Sequence, residues 1–342
     1  MKVAVYYNNN DIRIEERPVP KIGHREILVR IMASGICGSD VMEWYRIKTA
    51  PRGLGHEVAG FVEEAGAEGR RFKKGDRVFL THHVPCLTCR WCLKGLQTSC
   101  ETLHATNFDP GGFAQFVRVP EINVERGTLL LPDSVSFEEA SFIEPLACVV
   151  RGFRLARFTP PENVLVLGSG IAGILSIALA HSLGAGRIMA TDINKHRLLL
   201  AKKFGAERVF EAQEDLPSRI AEANDGRLAE FVAVTTGAPE AFLQALQCVD
   251  RGGKVLFFAP AKPGAQIAFP LFEFWKNGAS LTSSYGAAGK DLADALELIR
   301  HKRMSVQAMI SHRLSLSEVQ EGFKMVAEAG QSLKVIFEPQ KI

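Results

Sequence analysis

Residues 164–180 read VLVLGSGIAGILSIALA, and this stretch decides the fold of the second half of the chain. Its first four residues form an apolar run that is too short for a helix. Gly168, Gly170 and Gly173 follow in the spacing G-x-G-x-x-G, and apolar residues then recur with helical period. A strand, a glycine turn and a helix in succession predict one βα unit.

The same pattern repeats downstream. Short runs rich in Val, Ile and Phe, which we predict as strands, alternate with helical stretches as far as SLTSSYG at 280–286. Strands that alternate with helices indicate a parallel, doubly wound sheet. We therefore assign residues 149–285 to an α/β domain of this type.

The two flanking segments have a different character. Residues 1–148 alternate β-like runs such as EILVRIMAS with Gly, Pro, Asn and Asp, which is typical of a mainly antiparallel β domain. The tail at 286–342 mixes two predicted helices with a last strand, LKVIFEP. We expect this tail to return to the first domain and complete it.

The composition excludes several classes of protein. With 342 residues, 46% apolar and 23% charged, the chain is neither disordered nor fibrous. A formal charge of +3 gives no electrostatic case for binding nucleic acid or an anionic membrane. The apolar runs fall short of a membrane span, and residues 1–7 lack a secretory pattern, so the expected compartment is the cytoplasm.

Four of the seven cysteines are concentrated in one short segment. They follow the spacing C-x2-C-x2-C-x7-C and are Cys86, Cys89, Cys92 and Cys100. An odd total of cysteines without a secretory pattern does not favour disulfides, and four thiolates can close a tetrahedral zinc site. Because four protein ligands leave no open position, this zinc is expected to hold a lobe at 83–101 together and to do no chemistry.

A second group of ligand-type residues is spread along the first domain. One thiolate, one imidazole and two carboxylates stand in the segments GICGSD, GHE and EPLA: Cys37, His56, Glu57 and Glu144. Zinc with three protein ligands keeps an exchangeable position, as catalytic sites require. The sequence lacks the second histidine of HExxH, a G-x-S-x-G turn and a P-loop, so it favours neither a protease, a serine hydrolase nor a phosphoryl-transfer enzyme.

The glycine motif has the acidic partner that dinucleotide binding requires. Asp192 ends the next predicted strand, about 20 residues beyond the glycines. A carboxylate there binds the adenosine ribose diol and repels a 2′-phosphate, so the sequence favours NAD over NADP. A cation close to Asp192, Lys195 or Arg197, could instead accommodate such a phosphate. With Ile171 and Ala172 at the helix start, where the phosphates are expected, these residues form the predicted cofactor site.

Seven motifs occur in a fixed order along the chain. They are GICGSD (35–40), GHE (55–57), GDRV (75–78), the cysteine lobe (86–100), GGFAQF (111–116), EPLA (144–147) and GSGIAG (168–173). In this order the chain resembles the zinc-containing alcohol and polyol dehydrogenases of the medium-chain dehydrogenase/reductase superfamily. The EPL form of the sixth motif is similar to the sorbitol and threonine dehydrogenase branches. The resemblance implies a GroES-like catalytic domain and a Rossmann domain.

The resemblance also implies a metal content and a reaction. Cys37 and His56 are expected to bind a catalytic zinc, with Glu57 or Glu144 as the third ligand and the other carboxylate holding a water. Together with the lobe, this makes two zinc ions per chain. Zinc would act as a Lewis acid on a substrate hydroxyl while hydride passes from the carbinol carbon to NAD. A homo-oligomer, dimer or tetramer, is implied as well.

Residues around this zinc carry implied roles. Ser39 is expected to hydrogen-bond the substrate hydroxyl, and Asp40 to orient His56 through its distal N–H. Many relatives carry a histidine two residues after this aspartate as the outer end of a proton relay, but this chain has Met42. The proton is therefore expected to leave through a water on one of the two glutamates, or through His83, which resembles a histidine of the threonine dehydrogenase branch.

The substrate class stays open at this point. The segment 44–48 (WYRIK), expected to line one wall of the pocket, mixes aromatic and cationic groups, which suits a polyol, a sugar alcohol, an amino alcohol or a phosphorylated polyol. Two other functions are kept as alternatives. One is a zinc-independent reductase of the same superfamily, which would lack the catalytic ligands. The other is a non-catalytic, zinc- or nucleotide-binding structural protein.

Overall fold

A computed structural model describes residues 1–68 and 71–341. The chain divides into two compact units, which are described separately here. The first unit consists of Met1–Ala147 and Ala287–Ile342, and the second of Cys148–Gly286. None of the described helices combines the length and the apolar character needed to cross a bilayer.

The strands are numbered in chain order. They are β1 Lys2–Asn8, β2 Asp11–Glu16, β3 Ile27–Gly35, β4 Arg52–Gly53, β5 Glu57–Ala65, β6 Arg77–Leu80, β7 Phe116–Val119, β8 Thr128–Leu130, β9 Val164–Leu167, β10 Ile188–Asp192, β11 Arg208–Glu211, β12 Ala229–Val234, β13 Val249–Phe257, β14 Ser280–Ser283, β15 Ile310–Ser315 and β16 Lys334–Glu338.

The helices are numbered in the same way. They are α1 Glu43–Arg46, α2 Arg90–Leu93, α3 Glu101–Ala105, α4 Glu121–Gly127, α5 Phe137–Ala140, α6 Ile143–Leu155, α7 Ile171–Leu183, α8 Lys195–Lys203, α9 Leu216–Ala223, α10 Pro239–Cys248, α11 Leu271–Asn277, α12 Gly289–Arg300 and α13 Val319–Glu328. Short 3₁₀ turns occur at Gly38–Val41, Ile47–Thr49, Gln97–Ser99, Val306–Met309 and Leu316–Glu318.

The second unit is built on a parallel sheet. Its strands have the order β11-β10-β9-β12-β13-β14, and every neighbouring pair is parallel. The central strand β9 is fully buried, as its continuous apolar run requires. Helix α10 ends at Cys248, and β13 begins at Val249 and runs through the glycines at 252 and 253.

The first unit is mainly antiparallel. One sheet has the order β2-β1-β4, and a larger one the order β15-β16-β3-β5-β6-β8, with β7 paired to β3. Except for the parallel pair β15 and β16, the described neighbours are antiparallel. A core of alternating side chains lies on the larger sheet: Ile27, Val29, Ile31, Val58, Val62, Val78, Leu80, Val117 and Val119. The predicted fold class, antiparallel β with a doubly wound parallel sheet, is confirmed.

The centre of the larger sheet determines where chemistry can occur. Gly35, the last residue of β3, pairs with Glu57, the first residue of β5, and on its other side with Ile336 of β16. Segments that are far apart in sequence therefore end at one place. The residues directly after β3, directly before β5 and at the start of β16 meet at this edge.

Candidate functional site

The paired ends of β3 and β5 bring three potential metal ligands together. Cys37, His56 and Glu57 each offer one ligand atom, and these atoms lie within 4.8 Å of one another. His56 and Glu57 are buried, and Cys37 is partly exposed. A thiolate, an imidazole and a carboxylate at this separation can bind one zinc ion and leave it a fourth position.

Asp40 contacts two of these three residues, Cys37 and His56. It is fully buried in the 3₁₀ turn after Cys37, and one of its carboxylate oxygens accepts a hydrogen bond from the Cys37 N–H at 3.1 Å. The other oxygen lies 3.4 Å from Nδ1 of His56. Contact at Nδ1 leaves Nε2 of the imidazole available to a metal, which is how carboxylates orient ligand histidines.

The electrostatics of the group favour a cation. Burial alone would lower the pKa of His56, but the neighbouring charges of Asp40 and Cys37 and hydrogen bonds to both raise it well above its ordinary value. The pKa of Asp40 is lowered despite its burial, because His56 and Arg46 stabilise its charge. A place where negative groups converge on a histidine suits a divalent ion, so the residues present fit zinc.

A buried lysine that the sequence analysis did not identify contacts Glu57 from the buried side of the site. Lys334 of β16 is fully buried and makes an ion pair with Glu57, and its Nζ also donates to the carbonyl of Ile36 at 3.1 Å. Gly35 makes room for this pair, because a Cβ there would collide with both side chains. A lysine in an otherwise apolar strand is the signal that could have revealed it, since buried charges need a partner.

Ser39 contacts Arg46, which the sequence placed in the expected pocket wall at 44–48 but not beside this serine. Its hydroxyl lies 3.4 Å from the Cys37 sulfur. Arg46 donates to the same hydroxyl at 2.9 Å and to the Ser39 carbonyl at 2.9 Å, and it reaches an oxygen of Asp40 at 3.3 Å. This arginine therefore occupies the surroundings of Ser39, in a chain that has Met42 where relatives carry the outer relay histidine.

Two further histidines extend the cluster. The ring centroid of His82 is 4.8 Å from that of His56 and 3.6 Å from that of His83, on which it stacks. Burial, neighbouring histidines and two arginines lower the pKa of His82 well below its ordinary value and that of His83 to about 3. Both rings are therefore neutral at physiological pH, and His83 is a weak base.

Glu144 lies in a different setting from Glu57. It stands in the first turn of α6, where it is half-buried and has an interaction partner. Within the described residues, the group of ligand atoms at 4.8 Å contains Glu57 and not Glu144. The geometry brings Glu57, rather than Glu144, to Cys37 and His56.

The cysteine lobe forms a second cluster. The four sulfurs of Cys86, Cys89, Cys92 and Cys100 lie within 4.8 Å of one another. The Cys89–Cys92 separation is 3.6 Å and the Cys86–Cys92 separation is 4.0 Å. A tetrahedron with Zn–S bonds of about 2.3 Å has sulfurs about 3.8 Å apart, so the four cysteines fit zinc.

Hydrogen bonds prepare this lobe for metal binding. The Thr88 hydroxyl and the backbone N–H groups of Thr88 and Cys89 lower the pKa of Cys86 to about 5, so it is a thiolate at neutral pH. Burial and the neighbouring sulfurs raise the pKa of Cys92 to about 12. Deprotonating Cys92 therefore requires a cation, which a metal would supply.

In the second unit, the glycine turn has the shape a dinucleotide needs. Gly168 has a φ of +93°, which a side chain disfavours. A Cβ on Gly173 would collide with the carbonyl of Gly168, so helix and strand approach closely only because Gly173 is glycine. Gly170 caps α7, whose first residues are Ile171 and Ala172. This is the geometry expected for a pyrophosphate site.

Asp192 and Arg197 both lie beside this turn. One oxygen of Asp192 accepts the Ser169 N–H at 2.7 Å and the other accepts the Asn194 N–H at 2.8 Å, so the carboxylate is held rigidly at the end of β10. A guanidinium nitrogen of Arg197 lies 3.6 Å from the position of a Cβ on Gly170. The buried Nε of Arg197 has no hydrogen-bond partner among residues 1–68 and 71–341.

Comparison with known proteins shows the family of the chain. Residues 23–130 match the family model of the alcohol dehydrogenase GroES-like domain, and residues 172–301 match that of the zinc-binding dehydrogenases. The sorbitol dehydrogenase of Bacillus subtilis (strain 168) is 35% identical over 264 residues, which cover 75% of this chain and 74% of that protein.

Solved structures give the same result. Galactitol-1-phosphate dehydrogenase from Escherichia coli matches with a TM-score of 0.88 and 27% identity, over 99% of this chain and 100% of that one. A protein assigned as a zinc-binding dehydrogenase from Sinorhizobium meliloti 1021, bound to NADP, matches with a TM-score of 0.89 and 25% identity over 99% of both chains. The chain therefore belongs, as its motifs predicted, to the zinc-containing alcohol and polyol dehydrogenases of the medium-chain dehydrogenase/reductase superfamily, and it is an oxidoreductase.

Proposed function

We propose that this protein is a zinc-dependent dehydrogenase that transfers a hydride between a secondary alcohol of the polyol, sugar alcohol or amino alcohol type and NAD. The observation that carries the proposal is the cluster of Cys37, His56 and Glu57, whose ligand atoms lie within 4.8 Å of one another. A structural metal site would be closed by a fourth protein ligand, whereas this set leaves one position for substrate.

Cys37, His56 and Glu57 would hold the catalytic zinc. Bound there, zinc would supply Lewis acidity that lowers the pKa of a substrate hydroxyl. Asp40 fixes the imidazole of His56 through Nδ1, and Lys334 fixes the carboxylate of Glu57 from the buried side. These two contacts set the orientation of two ligands before any metal arrives, which reduces the reorganisation that binding requires.

Ser39 would position the substrate hydroxyl. Its own hydroxyl accepts a hydrogen bond from Arg46 and donates its proton to the Cys37 sulfur at 3.4 Å, so this proton would turn from the sulfur to a substrate oxygen bound beside Cys37. The proton released by the substrate has two candidate routes, a water on one of the two glutamates and His83. With its pKa at about 3, His83 is a poor acceptor, so we favour a water held by Glu144, which is the carboxylate outside the ligand cluster.

NAD is the proposed cofactor. Gly168, Gly170 and Gly173 would cradle the pyrophosphate, and the nicotinamide would accept the hydride. Asp192, held by two backbone N–H groups, keeps lone pairs for the ribose hydroxyls. Arg197 is the opposing influence, because its guanidinium lies beside Gly170 and could take a 2′-phosphate. We propose that the rigid carboxylate dominates.

Two zinc ions per chain are proposed, the second one in the cysteine lobe. Its four sulfurs already lie at separations suited to tetrahedral zinc. Arg126 ties the lobe to α4 by donating to the carbonyl of Cys86 at 2.6 Å. A zinc held by these four cysteines would stabilise a segment with little apolar core of its own, and its loss should affect structure before chemistry.

A homo-oligomer, dimer or tetramer, is proposed on the basis of exposed apolar surface. On α11, Leu271, Phe272 and Trp275 are 75%, 63% and 76% exposed, and β14, the last strand in its sheet order, exposes Leu281. Large exposed apolar side chains beside an unpaired strand edge indicate an interface. Trp275→Lys should reduce the molar mass measured by light scattering, and an unchanged mass would contradict an interface at α11.

A substrate screen tests the proposed reaction. Purified protein is offered polyols, sugar alcohols and amino alcohols with NAD, and NADH formation is followed by absorbance, before and after chelation of zinc. Oxidation that is lost with zinc supports the proposal. Reduction of enones that survives chelation would indicate the zinc-independent reductase, and bound zinc with no turnover of any class would indicate a structural protein.

A further inference from the structure

Two arginines, Arg46 and Arg52, stand between the first two zinc ligands in sequence. Arg46 is the last residue of α1, and Arg52 is the first residue of the short strand β4, which pairs with β1. Arg52 lies four positions before His56 in the sequence. Both side chains are partly buried, so both guanidinium groups have lost part of their water.

Arg46 is fixed at the edge of the site. Its Nη2 lies 2.9 Å from the Ser39 hydroxyl, which is itself 3.4 Å from the Cys37 sulfur. The guanidinium is therefore within about two hydrogen-bond lengths of a zinc ligand. Its Nε and Nη2 are used by Ser39 and Asp40, and its Nη1 has no hydrogen-bond partner within the described parts of the chain.

Arg52 lacks a carboxylate. The single hydrogen bond of its side chain among residues 1–68 and 71–341 is a long one, 3.5 Å, to the Thr49 hydroxyl, and no Asp or Glu oxygen of those residues lies within 4.0 Å of its guanidinium group. Burial, followed by the positive charge of Arg46, lowers the pKa of Arg52. Arginine nevertheless stays protonated at physiological pH, so the crowded charge persists.

The neighbouring carboxylates are bound by groups other than Arg52. Asp40 faces His56 and Arg46, and Glu57 is paired with Lys334. Glu43, on the same helix as Arg46, accepts the backbone N–H of Asn9 at 3.2 Å. Arg46 therefore has Asp40 as its counter-ion, but Arg52 keeps a partly desolvated positive charge with no carboxylate oxygen within 4.0 Å in the described parts of the chain, although a buried charge without a partner is costly.

We propose that the substrate alcohol carries an anionic group, a phosphate or a carboxylate, which binds between Arg52 and the free Nη1 of Arg46. The proposal rests on the dehydrogenase function proposed above and narrows its substrate class. Arginine is suited to this task because its planar donors match the oxygens of both groups. Since Arg46 also holds the Ser39 hydroxyl, one side chain would link recognition of the anion to placement of the reacting hydroxyl.

The test compares three matched alcohols: a hexitol, its 1-phosphate and the aldonate of the same chain length. We expect kcat/KM for at least one anionic alcohol to exceed that for the hexitol by about 10- to 100-fold, as one or two charged hydrogen bonds allow. The anionic alcohol with the larger increase in kcat/KM shows whether the site binds a phosphate or a carboxylate. Arg52→Gln should reduce this preference about tenfold or more, mainly through KM, and Arg52→Lys should restore part of it.

Arg25→Gln is the matched control, because Arg25 is an exposed arginine of the same unit that is paired with Glu121 and Glu125 on the surface. It removes the same charge and should leave the preference unchanged. Inorganic phosphate gives a readout without turnover: it should inhibit hexitol oxidation competitively in the wild type and about tenfold more weakly in Arg52→Gln.

The outcomes separate the two proposals. If no alcohol is oxidised, the dehydrogenase function fails. If the hexitol is oxidised as well as the anionic alcohols, and phosphate inhibits wild type and Arg52→Gln equally, the anion site is wrong while the dehydrogenase function stands. An equal loss of the preference for anionic alcohols in Arg25→Gln would also refute the anion site, because the preference would then reflect net charge alone.

Discussion

Replacing Lys334 by Met should destabilise the protein far more than the loss of an ordinary lysine. Both partners of the Lys334–Glu57 pair are buried, with side-chain exposures of 0% and 1%. In the zinc-free protein, removing the lysine leaves the carboxylate of Glu57 without its cation and the carbonyl of Ile36 without its donor. Breaking one partner of a buried pair costs about 3–5 kcal/mol, so we expect a loss of that size in the free energy of unfolding.

Urea unfolding of four zinc-free variants provides the assay: Lys334→Met, Glu57→Gln, the double variant of these two, and Lys74→Met. Lys74→Met is the control, because Lys74 is 74% exposed in its pair with Glu63, and such surface pairs contribute about 0–1 kcal/mol. The double variant Glu57→Gln, Lys334→Met removes both charges and should recover part of the stability lost in Lys334→Met. A loss below about 1 kcal/mol in Lys334→Met, or a double variant as unstable as the sum of the singles, would refute the pairing.

Three further predictions concern the cofactor, the lobe and pH. Asp192→Ala should narrow the preference for NAD over NADP about tenfold in kcat/KM, since one charged hydrogen-bond acceptor is lost; equal or better use of NADP by the wild type would contradict the assignment. Cys89→Ser should remove one zinc per chain and lower the melting temperature, because structural zinc contributes about 10–16 kcal/mol to zinc-finger peptides; an unchanged melting profile would count against a structural metal. Lys302 and the Ser136 N–H lower the pKa of Glu139 in spite of its burial, so its stabilising effect is complete above the unfolded pKa of about 4.3 and is lost as pH falls through the lower folded value. The difference in urea midpoint between wild type and Glu139→Gln should therefore shrink on acidification from pH 6 to pH 3, and a constant difference would show that the ion pair contributes nothing.

Features that depend on neighbours in sequence could be predicted from the sequence. The lobe cysteines lie within one short segment, so their spacing limits the geometry, and the structure brings their four sulfurs together. The glycine turn is similar, because Gly168 and Gly173 are required by a backbone angle and by a close approach within one βα unit. The alternation of strands and helices likewise predicted the parallel sheet.

Features that depend on distant pairing could not be predicted. Lys334 reaches Glu57 only because β16 and β5 flank the same end of β3, and strand order in a sheet is a tertiary property. Glu57 and Glu144 are both carboxylates in suitable motifs, so the sequence could not decide which one is the third zinc ligand. The strand pairing favours Glu57, because it brings this residue to the end of β3. Arg46 lies in a segment recognised as cationic, but its contact with Ser39 depends on how α1 folds back onto the preceding turn.

The central claim is that Cys37, His56 and Glu57 hold a catalytic zinc distinct from the zinc of the lobe. The most direct test is the zinc content per chain of wild type and Cys37→Ser, measured by mass spectrometry of metals on samples whose alcohol oxidation with NAD is assayed in parallel. The account predicts about two zinc ions in the wild type and about one in Cys37→Ser, with oxidation abolished and the fold retained. A variant that keeps both zinc ions, or that loses one and still oxidises the alcohol, would contradict it.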